Sequence, residues 1–191
     1  MKKIIAFSGS NNPASINGQL LHSLVKSNYQ FDIDHVDLTN QEIPIFSQGF
    51  LPNFIPEGIV DLHKKIGESY GVVLASPEHN GLPSAYLKNI IDWLSVIEHQ
   101  FFQGKPVLLL SSSPGETGAS SQLHLLSNLL PYWGGKLMAS YSLGSFYENF
   151  SEEEVRITNP KEQEKLARAF HAFVRNRPIS SIKNSDVVKG Y

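Results

Sequence analysis

The sequence of 191 residues contains no cysteine. This absence excludes disulfides, thiolate metal sites, iron–sulfur clusters held by cysteine and a cysteine nucleophile. Any redox chemistry therefore requires a bound cofactor. We expect no metal site either, because His79, the histidine closest to a predicted site, has no partner ligands near it in the sequence.

The sequence also lacks a long apolar run and a strong charge excess. The apolar segment Ile4–Phe7 is too short for a signal-peptide core, and no stretch approaches the roughly 20 apolar residues of a transmembrane helix. We therefore expect a soluble cytoplasmic protein with no membrane partner. The formal net charge of -2 gives no electrostatic reason to expect a nucleic-acid partner.

Short apolar runs alternate regularly with longer segments of helical period. This alternation predicts a three-layer α/β fold, in which helices cover both faces of a five-stranded parallel sheet. The predicted strands are Lys3–Ser8, Phe31–Leu38, Gly71–Ser76, Pro106–Ser112 and Lys136–Leu143. The predicted helices are Ser15–Ser27, Pro56–Ser69, Pro83–Glu98, Thr117–Leu130 and Pro160–Arg175.

The length fits one domain. We expect that domain to span residues 1–178 and to be followed by a tail, 179–191, with few apolar residues. The long connection Thr39–Ile55 contains two prolines and a glycine, and we expect it near the site or at an interface.

A sheet of order 2-1-3-4-5 binds ligands beyond the carboxyl ends of its strands, close to strands 1 and 3. The loops after strands 1, 3 and 4 are Gly9–Ala14, Pro77–Leu82 and Ser113–Glu116. We refer to them as the first, second and third loops. All three are rich in turn-forming and small polar residues, and we expect them to converge on one pocket.

The first loop leads directly into a predicted helix. Free N–H groups at a helix N-terminus, together with hydroxyl and amide side chains, form a neutral cradle for a phosphate. The loop has neither the G-x-G-x-x-G spacing of dinucleotide folds nor the Gly-Lys-Ser/Thr ending of nucleotide-triphosphate loops, so a monophosphate fits better. The structural alternative is that Ser15 caps the helix and the rest is a turn.

The second loop combines an Asn80-Gly81 turn with a stiff entry at Pro77, and such a turn can direct backbone amides at a planar ligand. An ordinary strand-to-helix turn has the same composition. The third loop again joins a strand to a helix, so its N–H groups can face the electron-rich edge of a ligand.

The helix predicted at Pro83–Glu98 has an unusually wide apolar surface. Its two apolar stripes together span roughly 160°, whereas covering one sheet face needs about 100°. The excess predicts a second burial surface, most simply a symmetric partner. The alternative is that Thr39–Ile55 covers it within the same chain. The stripes consist of Tyr86, Ile90, Trp93 and Ile97 and of Leu87, Ile91 and Leu94.

Several of these segments resemble the signature of the NAD(P)H-dependent FMN reductase family. The matching runs are Ser76–Gly81, Leu87-Lys88-Asn89, Ile91-Asp92-Trp93, Gly9-Ser10 with Ser15 and Asn17, and Ser113-Pro114-Gly115. The family has a flavodoxin-like fold and includes quinone, azo-dye and chromate reductases. The resemblance extends through the last predicted strand.

The resemblance implies which residues bind FMN. The phosphate site would be formed by Ser10, Asn12, Ser15, Ile16 and Asn17. The residues beside the isoalloxazine ring would be Pro77, Glu78, His79, Asn80 and Gly81. The residues at the pyrimidine edge of the ring would be Ser113, Pro114 and Gly115. Asn12 and His79 depart from the family, which commonly has arginine and tyrosine there. The loss of the arginine removes a positive charge from the phosphate site.

The function implied by the resemblance is an FMN-dependent oxidoreductase that passes electrons from NADPH or NADH to a quinone-like or other small acceptor. The flavin does the bond chemistry, so no catalytic side chain is named. Family members are usually homodimers or homotetramers, in agreement with the wide helix. Two alternatives stay open: an FMN-binding electron-transfer protein that docks to a protein partner, and a cofactor-free scaffold.

Overall fold

The computed structural model describes residues 3–51 and 53–176. The predicted boundary between a domain at 1–178 and a tail at 179–191 lies outside the described residues. Among the described helices, none combines the length and the apolar character needed to span a membrane.

Five parallel strands form one sheet of order β2-β1-β3-β4-β5, which confirms the predicted flavodoxin-like topology. Strands β1, β4 and β5 have the predicted bounds, whereas β2 and β3 are shorter than predicted. The edge strand β2 is also the least buried, as its alternating sequence indicated. The strands are β1 (Lys3–Ser8), β2 (Asp32–Val36), β3 (Gly71–Ala75), β4 (Pro106–Ser112) and β5 (Lys136–Leu143).

All five predicted helices are present: α1 (Ile16–Ser27), α2 (Glu57–Glu68), α3 (Ala85–Ile97), α4 (Ser120–Leu129) and α5 (Pro160–Val174). Three of them are preceded by a capping residue whose side chain accepts a hydrogen bond from the first turn, namely Ser15, Ser84 and Asn159. Helix α4 begins three residues later than predicted, because Gly118 and Ala119 have left-handed backbones, with φ of 62° and 63°.

The helices bury both faces of the sheet. Helices α1 and α5 pack on one face, and α2, α3 and α4 pack on the other. Successive residues of β1 alternate between these faces: Ile4 and Ala6 contact the first group, and Ile5 and Phe7 contact the second. Because all five strands are parallel, they end at the same edge of the sheet, which we call the carboxyl edge. The first turns of the helices also lie at this edge.

The structure contains short elements that the sequence did not predict. They are an antiparallel pair at Glu78–His79 and Leu82–Pro83, a second pair at Phe150–Ser151 and Arg156–Ile157, a helical turn at Phe146–Asn149, and 3-10 turns at Gln48–Phe50 and Leu130–Trp133. Two-residue strands and single turns are too short to give a hydrophobic period.

The connection Thr39–Ile55 covers the wide apolar surface of α3 within the chain. Trp93 is fully buried, and its indole Nε1 donates a hydrogen bond of 2.7 Å to the Pro44 carbonyl. The rings of Phe46 and Phe50 contact it at centroid distances of 5.1 and 5.7 Å. The intrachain alternative therefore accounts for the burial of this stripe, and contact of the Pro83–Glu98 helix with a partner chain stays a prediction.

Candidate functional site

The three predicted loops are tied together at the carboxyl edge of the sheet. The Ser84 hydroxyl, at the start of α3, donates to the Gly9 carbonyl of the first loop at 2.5 Å. The Asn17 amide joins the start of α1 to the end of β4, because it bonds both backbone groups of Ser112. The loops are thus held in a fixed relation to one another.

A buried polar cluster that the sequence did not predict supports the second and third loops from below. The fully buried side chain of Gln122 accepts from the Ser76 hydroxyl at 2.9 Å and donates to the Ser76 carbonyl at 2.8 Å and the Ser111 hydroxyl at 3.1 Å. Serines near the ends of otherwise apolar strands, Ser76 and Ser111, were the only sign of this cluster in the sequence. Their partner Gln122 could not be predicted from it. Satisfied networks of this kind make the loops above them rigid.

Side chains of the first loop serve mainly to shape it. The Ser15 hydroxyl accepts from the Gly18 N–H at 3.4 Å, the Ser10 hydroxyl accepts from the Asn12 N–H at 3.2 Å, and the Asn12 carbonyl oxygen of the side chain accepts from Ala14 at 3.0 Å. The capping role that we considered as an alternative for Ser15 is therefore present. Capping leaves other N–H groups of the loop available.

The available donors are backbone groups at the start of α1. Within the described residues, the N–H groups of Ser10, Asn11, Ile16 and Asn17 donate to no protein acceptor. The first turn of α1 contains no acidic residue. A cluster of free N–H groups at a helix N-terminus fits a phosphate. This neutral cradle is suited to the phosphate of FMN, although no lysine or arginine belongs to it.

The second loop forms a tight hairpin that presents its tip to solvent. Asn80 and Gly81 have left-handed backbones, with φ of 55° and 77°, as the predicted Asn-Gly turn requires. Pro77 is buried, and His79 is exposed. The Glu78 carboxylate accepts from the Ser121 hydroxyl at 2.9 Å and the Gln122 N–H at 3.2 Å, so it caps α4.

The third loop is clamped against the segment that follows β5. The Ser113 carbonyl accepts from the Phe146 N–H at 3.1 Å, and the Gly115 carbonyl accepts from the Ser145 N–H at 2.9 Å. Gly118 is in such close contact with Ser142 that a Cβ atom would not fit. In the described part of the chain, the N–H groups of Gly115 and Glu116 have no acceptor, so they can face a ligand.

A cleft of about 490 Å³ opens between the first loop, the second loop and the connection after β2. Of the predicted FMN residues only Ser10 and His79 line it; Ser113, Pro114 and Gly115 do not. The other lining residues are Asn11, Thr39, Gln41, Ile43, Ile45, Ser84, Ala85, Tyr86 and Asn89. Among the described residues that line it, no side chain is acidic, lysine or arginine.

Two side chains of α3 fix the wall of this cleft. The Tyr86 hydroxyl donates to the Leu38 carbonyl at 2.6 Å, and Asn89 bonds the Phe46 N–H at 2.7 Å and the Pro44 carbonyl at 3.0 Å. Beside the cleft, hydrogen bonds from Thr39 hold the pKa of the Asp37 carboxyl below its usual range. That carboxylate is therefore ionised at neutral pH. The described residues contain no cluster of three or more potential metal ligands.

Comparison with known proteins gives a consistent result. The family model described as NADPH-dependent FMN reductase matches residues 2–148. The NAD(P)H-dependent FMN reductase of Pseudomonas aeruginosa is 27% identical over 178 residues, which cover 90% of this chain and 92% of that protein. The quinone reductase of Escherichia coli is 32% identical over 131 residues, which cover 64% of this chain and 66% of that protein.

Among solved structures, the chain has the fold of FerB, a flavoenzyme NAD(P)H:acceptor oxidoreductase from Paracoccus denitrificans. The TM-score is 0.76 at 22% identity, over 94% of this chain and 100% of that chain. The family match covers all three loops of the site. The chain therefore belongs to the NADPH-dependent FMN reductase family and is, as a member of it, an FMN-dependent oxidoreductase.

Proposed function

We propose that the protein passes electrons from NADPH or NADH, through FMN, to a quinone-like or other small acceptor. The observation that supports the FMN assignment most directly is the set of unpaired N–H groups in the first loop and the first turn of α1. These donors fit the phosphate, while the second and third loops flank the position of the ring. When bound, FMN supplies the hydride and electron chemistry.

In this proposal the protein contributes binding and orientation. Ser10, Ile16 and Asn17 hold the phosphate through backbone N–H groups. Asn17 acts through its N–H, because its amide side chain is used by Ser112. The N–H groups of Gly115 and Glu116 face the pyrimidine edge, where preorganised dipoles favour added negative charge.

The neutral cleft beside His79 suits an uncharged acceptor. Its walls combine the apolar side chains of Ile43 and Ile45 with the amide of Gln41, and they carry no fixed charge. An uncharged quinone loses little solvation in such a place, whereas an anion loses much more. The quinone reductase activity named for the Escherichia coli relative supports the same acceptor class.

We also propose that the protein is a cytoplasmic homodimer or homotetramer. Its contact surface would include exposed apolar side chains near the cleft, since the Trp93 stripe is covered within the chain. Ile45 is 85% exposed and Leu82 is 56% exposed. Light scattering measures the oligomeric state of the wild type and of the double variant Ile45→Ser, Leu82→Ser, which should shift toward the monomer. A monomeric wild type at assay concentration would contradict it.

FMN binding tests the cofactor assignment. The apoprotein is titrated with FMN and with riboflavin, which lacks the phosphate, and flavin fluorescence is followed. We expect FMN to bind at least about tenfold more tightly, a difference of roughly 1.4 kcal/mol. Equal affinities would show that the N–H cradle does not hold the phosphate.

Turnover tests the reaction. The FMN-loaded protein is mixed with NADPH or NADH and a quinone, and oxidation of the dinucleotide is followed at its absorbance band. We expect quinone-dependent oxidation. Bound FMN without any oxidation of either dinucleotide would favour the alternative of an electron-transfer protein that docks to a protein partner.

A further inference from the structure

The preference of the protein for NADH or NADPH depends on the charges that the donor meets. An inference about that preference rests on the proposed function. NADPH differs from NADH by one phosphate monoester, which carries close to two negative charges at neutral pH. For either donor to reach the flavin, it must approach the carboxyl edge of the sheet. The field of the charged groups at that edge therefore acts on the additional phosphate.

The cations of the described chain are concentrated at the opposite edge. Lys3 begins β1, Lys105 directly precedes β4, and Lys136 begins β5. Lys105 is also bonded to the Gly67 and Ser69 carbonyls at the end of α2, at 2.8 and 2.7 Å. Further cations lie in the last turn of a helix or directly after it, namely Lys26, Lys65 and Arg175.

At the carboxyl edge the charges are mostly acidic. Asp37 and Glu42 lie in the connection after β2, next to the residues that line the cleft. Glu116 lies in the third loop, which follows β4. The Asp37 carboxylate accepts from the Thr39 N–H at 2.8 Å and from the Thr39 hydroxyl at 2.6 Å.

The described cations of the first helical turns do not offset these carboxylates. Lys88, in the first turn of α3, is paired with both oxygens of Asp92 at 2.6 and 2.7 Å. Lys161 is in the first turn of α5 together with Glu162, next to β5 and therefore at the far end of the sheet from the cleft. Neither is a free cation beside the cleft.

Carboxylates also occupy helix N-termini that would otherwise attract a second phosphate. Glu57 is in the first turn of α2, Glu78 caps α4, and Glu162 is in the first turn of α5. The N-terminus of α1 is used by the FMN phosphate in the proposed function. Helix α3 remains; it is capped by Ser84 and carries the paired Lys88.

We propose that the protein takes its electrons from NADH in preference to NADPH, because the carboxyl edge repels the additional phosphate and, among the described residues, offers it no unpaired cation beside the cleft. At about 10 Å in water, one carboxylate weakens the binding of a doubly charged phosphate about fourfold before screening. Several such groups act together, so we expect kcat/KM for NADH to exceed that for NADPH by about tenfold at low salt.

The first test compares kcat/KM for the two donors at about pH 8, where histidine is ordinarily neutral. The NADH preference should shrink toward unity between about 20 mM and about 0.5 M salt, because the Debye length contracts from roughly 20 Å to about 4 Å. Equal use of both donors at low salt, a preference for NADPH, or a preference that salt does not change would overturn the proposal.

Charge variants test the cause. Glu42→Gln with Glu116→Gln should raise the NADPH to NADH ratio about two- to fourfold for each charge removed at low salt. The matched control is Glu68→Gln, which removes the same charge at the end of α2, at the opposite edge, and should leave the ratio unchanged. Equal effects at the two edges would overturn the proposal. The double variant Lys88→Gln, Asp92→Asn removes a neutral pair at the carboxyl edge and should leave the ratio unchanged; a selective loss with NADPH would show that α3 binds the phosphate and would overturn the proposal.

Binding measurements separate this inference from the proposed function. NAD⁺ and NADP⁺ are titrated into the FMN-loaded protein by calorimetry, which needs no turnover. Tighter binding of NAD⁺ at low salt supports the proposal even if no quinone is reduced. Tighter binding of NADP⁺ overturns it, whatever the activity of the loaded protein.

Discussion

The amide side chain of Asn17 is bonded to both backbone polar groups of Ser112. Its Nδ2 donates to the Ser112 carbonyl at 3.1 Å, and its Oδ1 accepts from the Ser112 N–H at 2.8 Å. The two residues lie 95 positions apart, and Asn17 is only 3% exposed. This pair joins the start of α1, which follows the first loop, to the end of β4, which precedes the third loop.

Replacement of Asn17 by alanine should therefore weaken both the fold and the site. Two buried backbone groups lose their partners, and we expect the free energy of unfolding to fall by about 2–3 kcal/mol. FMN affinity should fall as well, because the two loops lose their connection. Urea denaturation measures the first effect and fluorescence titration the second.

The control is Asn11→Ala in the first loop, where the side chain is exposed and makes no hydrogen bond in the described structure. It should leave the unfolding free energy within about 0.5 kcal/mol of wild type. An Asn17→Ala protein as stable as Asn11→Ala would contradict the role of the Ser112 bonds.

Ser15→Asp separates capping from phosphate binding. Aspartate is as good an N-cap as serine and suits the positive end of the helix dipole, so stability should be retained or slightly increased. The new carboxylate would face the phosphate, so FMN affinity should fall by at least about tenfold, or 1.4 kcal/mol. Riboflavin affinity should change much less. Unchanged FMN affinity would show that the phosphate does not bind at the N-terminus of α1.

The fold was largely predictable because its main signals are local. The apolar runs of β1, β4 and β5 are bounded by polar or turn residues, and their bounds were predicted without error. Four of the five helix starts were placed at or before the N-cap residue, which belongs to the preceding loop, whereas the start of α5 at Pro160 was predicted correctly. A periodic pattern cannot separate a cap from the first helical residue.

The positions of the three loops at the carboxyl edge were predictable, but the contacts that their residues make were not, and the cleft is lined by the first and second loops without the third. The positions of the three loops follow from the strand order, whereas the use of the Asn17 amide by Ser112 and of the Glu78 carboxylate by α4 depends on contacts between distant segments. The apolar width of α3 correctly indicated a second burial surface. Because hydrophobic burial is non-directional, the pattern could not say whether the cover was a partner or the Thr39–Ile55 connection.

The main role of the Glu78 carboxylate should be to stabilise the fold by capping α4, and contact with the flavin should be secondary. Its side chain is the acceptor for Ser121 and Gln122 at a helix whose own N-cap, Ala119, has no side-chain cap. Glu78→Ala should lower the free energy of unfolding by about 1 kcal/mol in the apoprotein. Glu78→Gln keeps an acceptor oxygen and should recover about half of that loss. Identical losses for the two variants, measured by urea denaturation, would argue against capping.

Trp93 should behave as a core residue of the single chain. It is 0% exposed and is enclosed by Phe46, Phe50 and the Pro44 carbonyl of the connection. Trp93→Ala should cost about 3–5 kcal/mol of unfolding free energy, and a charged replacement should prevent stable folding. Gln48→Ala on the same connection is the control, because that side chain is exposed and makes no hydrogen bond in the described structure, so its replacement should leave the unfolding free energy nearly unchanged. Thermal unfolding with light scattering distinguishes a core residue from an interface residue. A folded, monomeric Trp93→Asp protein with the wild-type Tm would indicate that Trp93 lies at a subunit interface. Loss of the fold would confirm that it is a core residue.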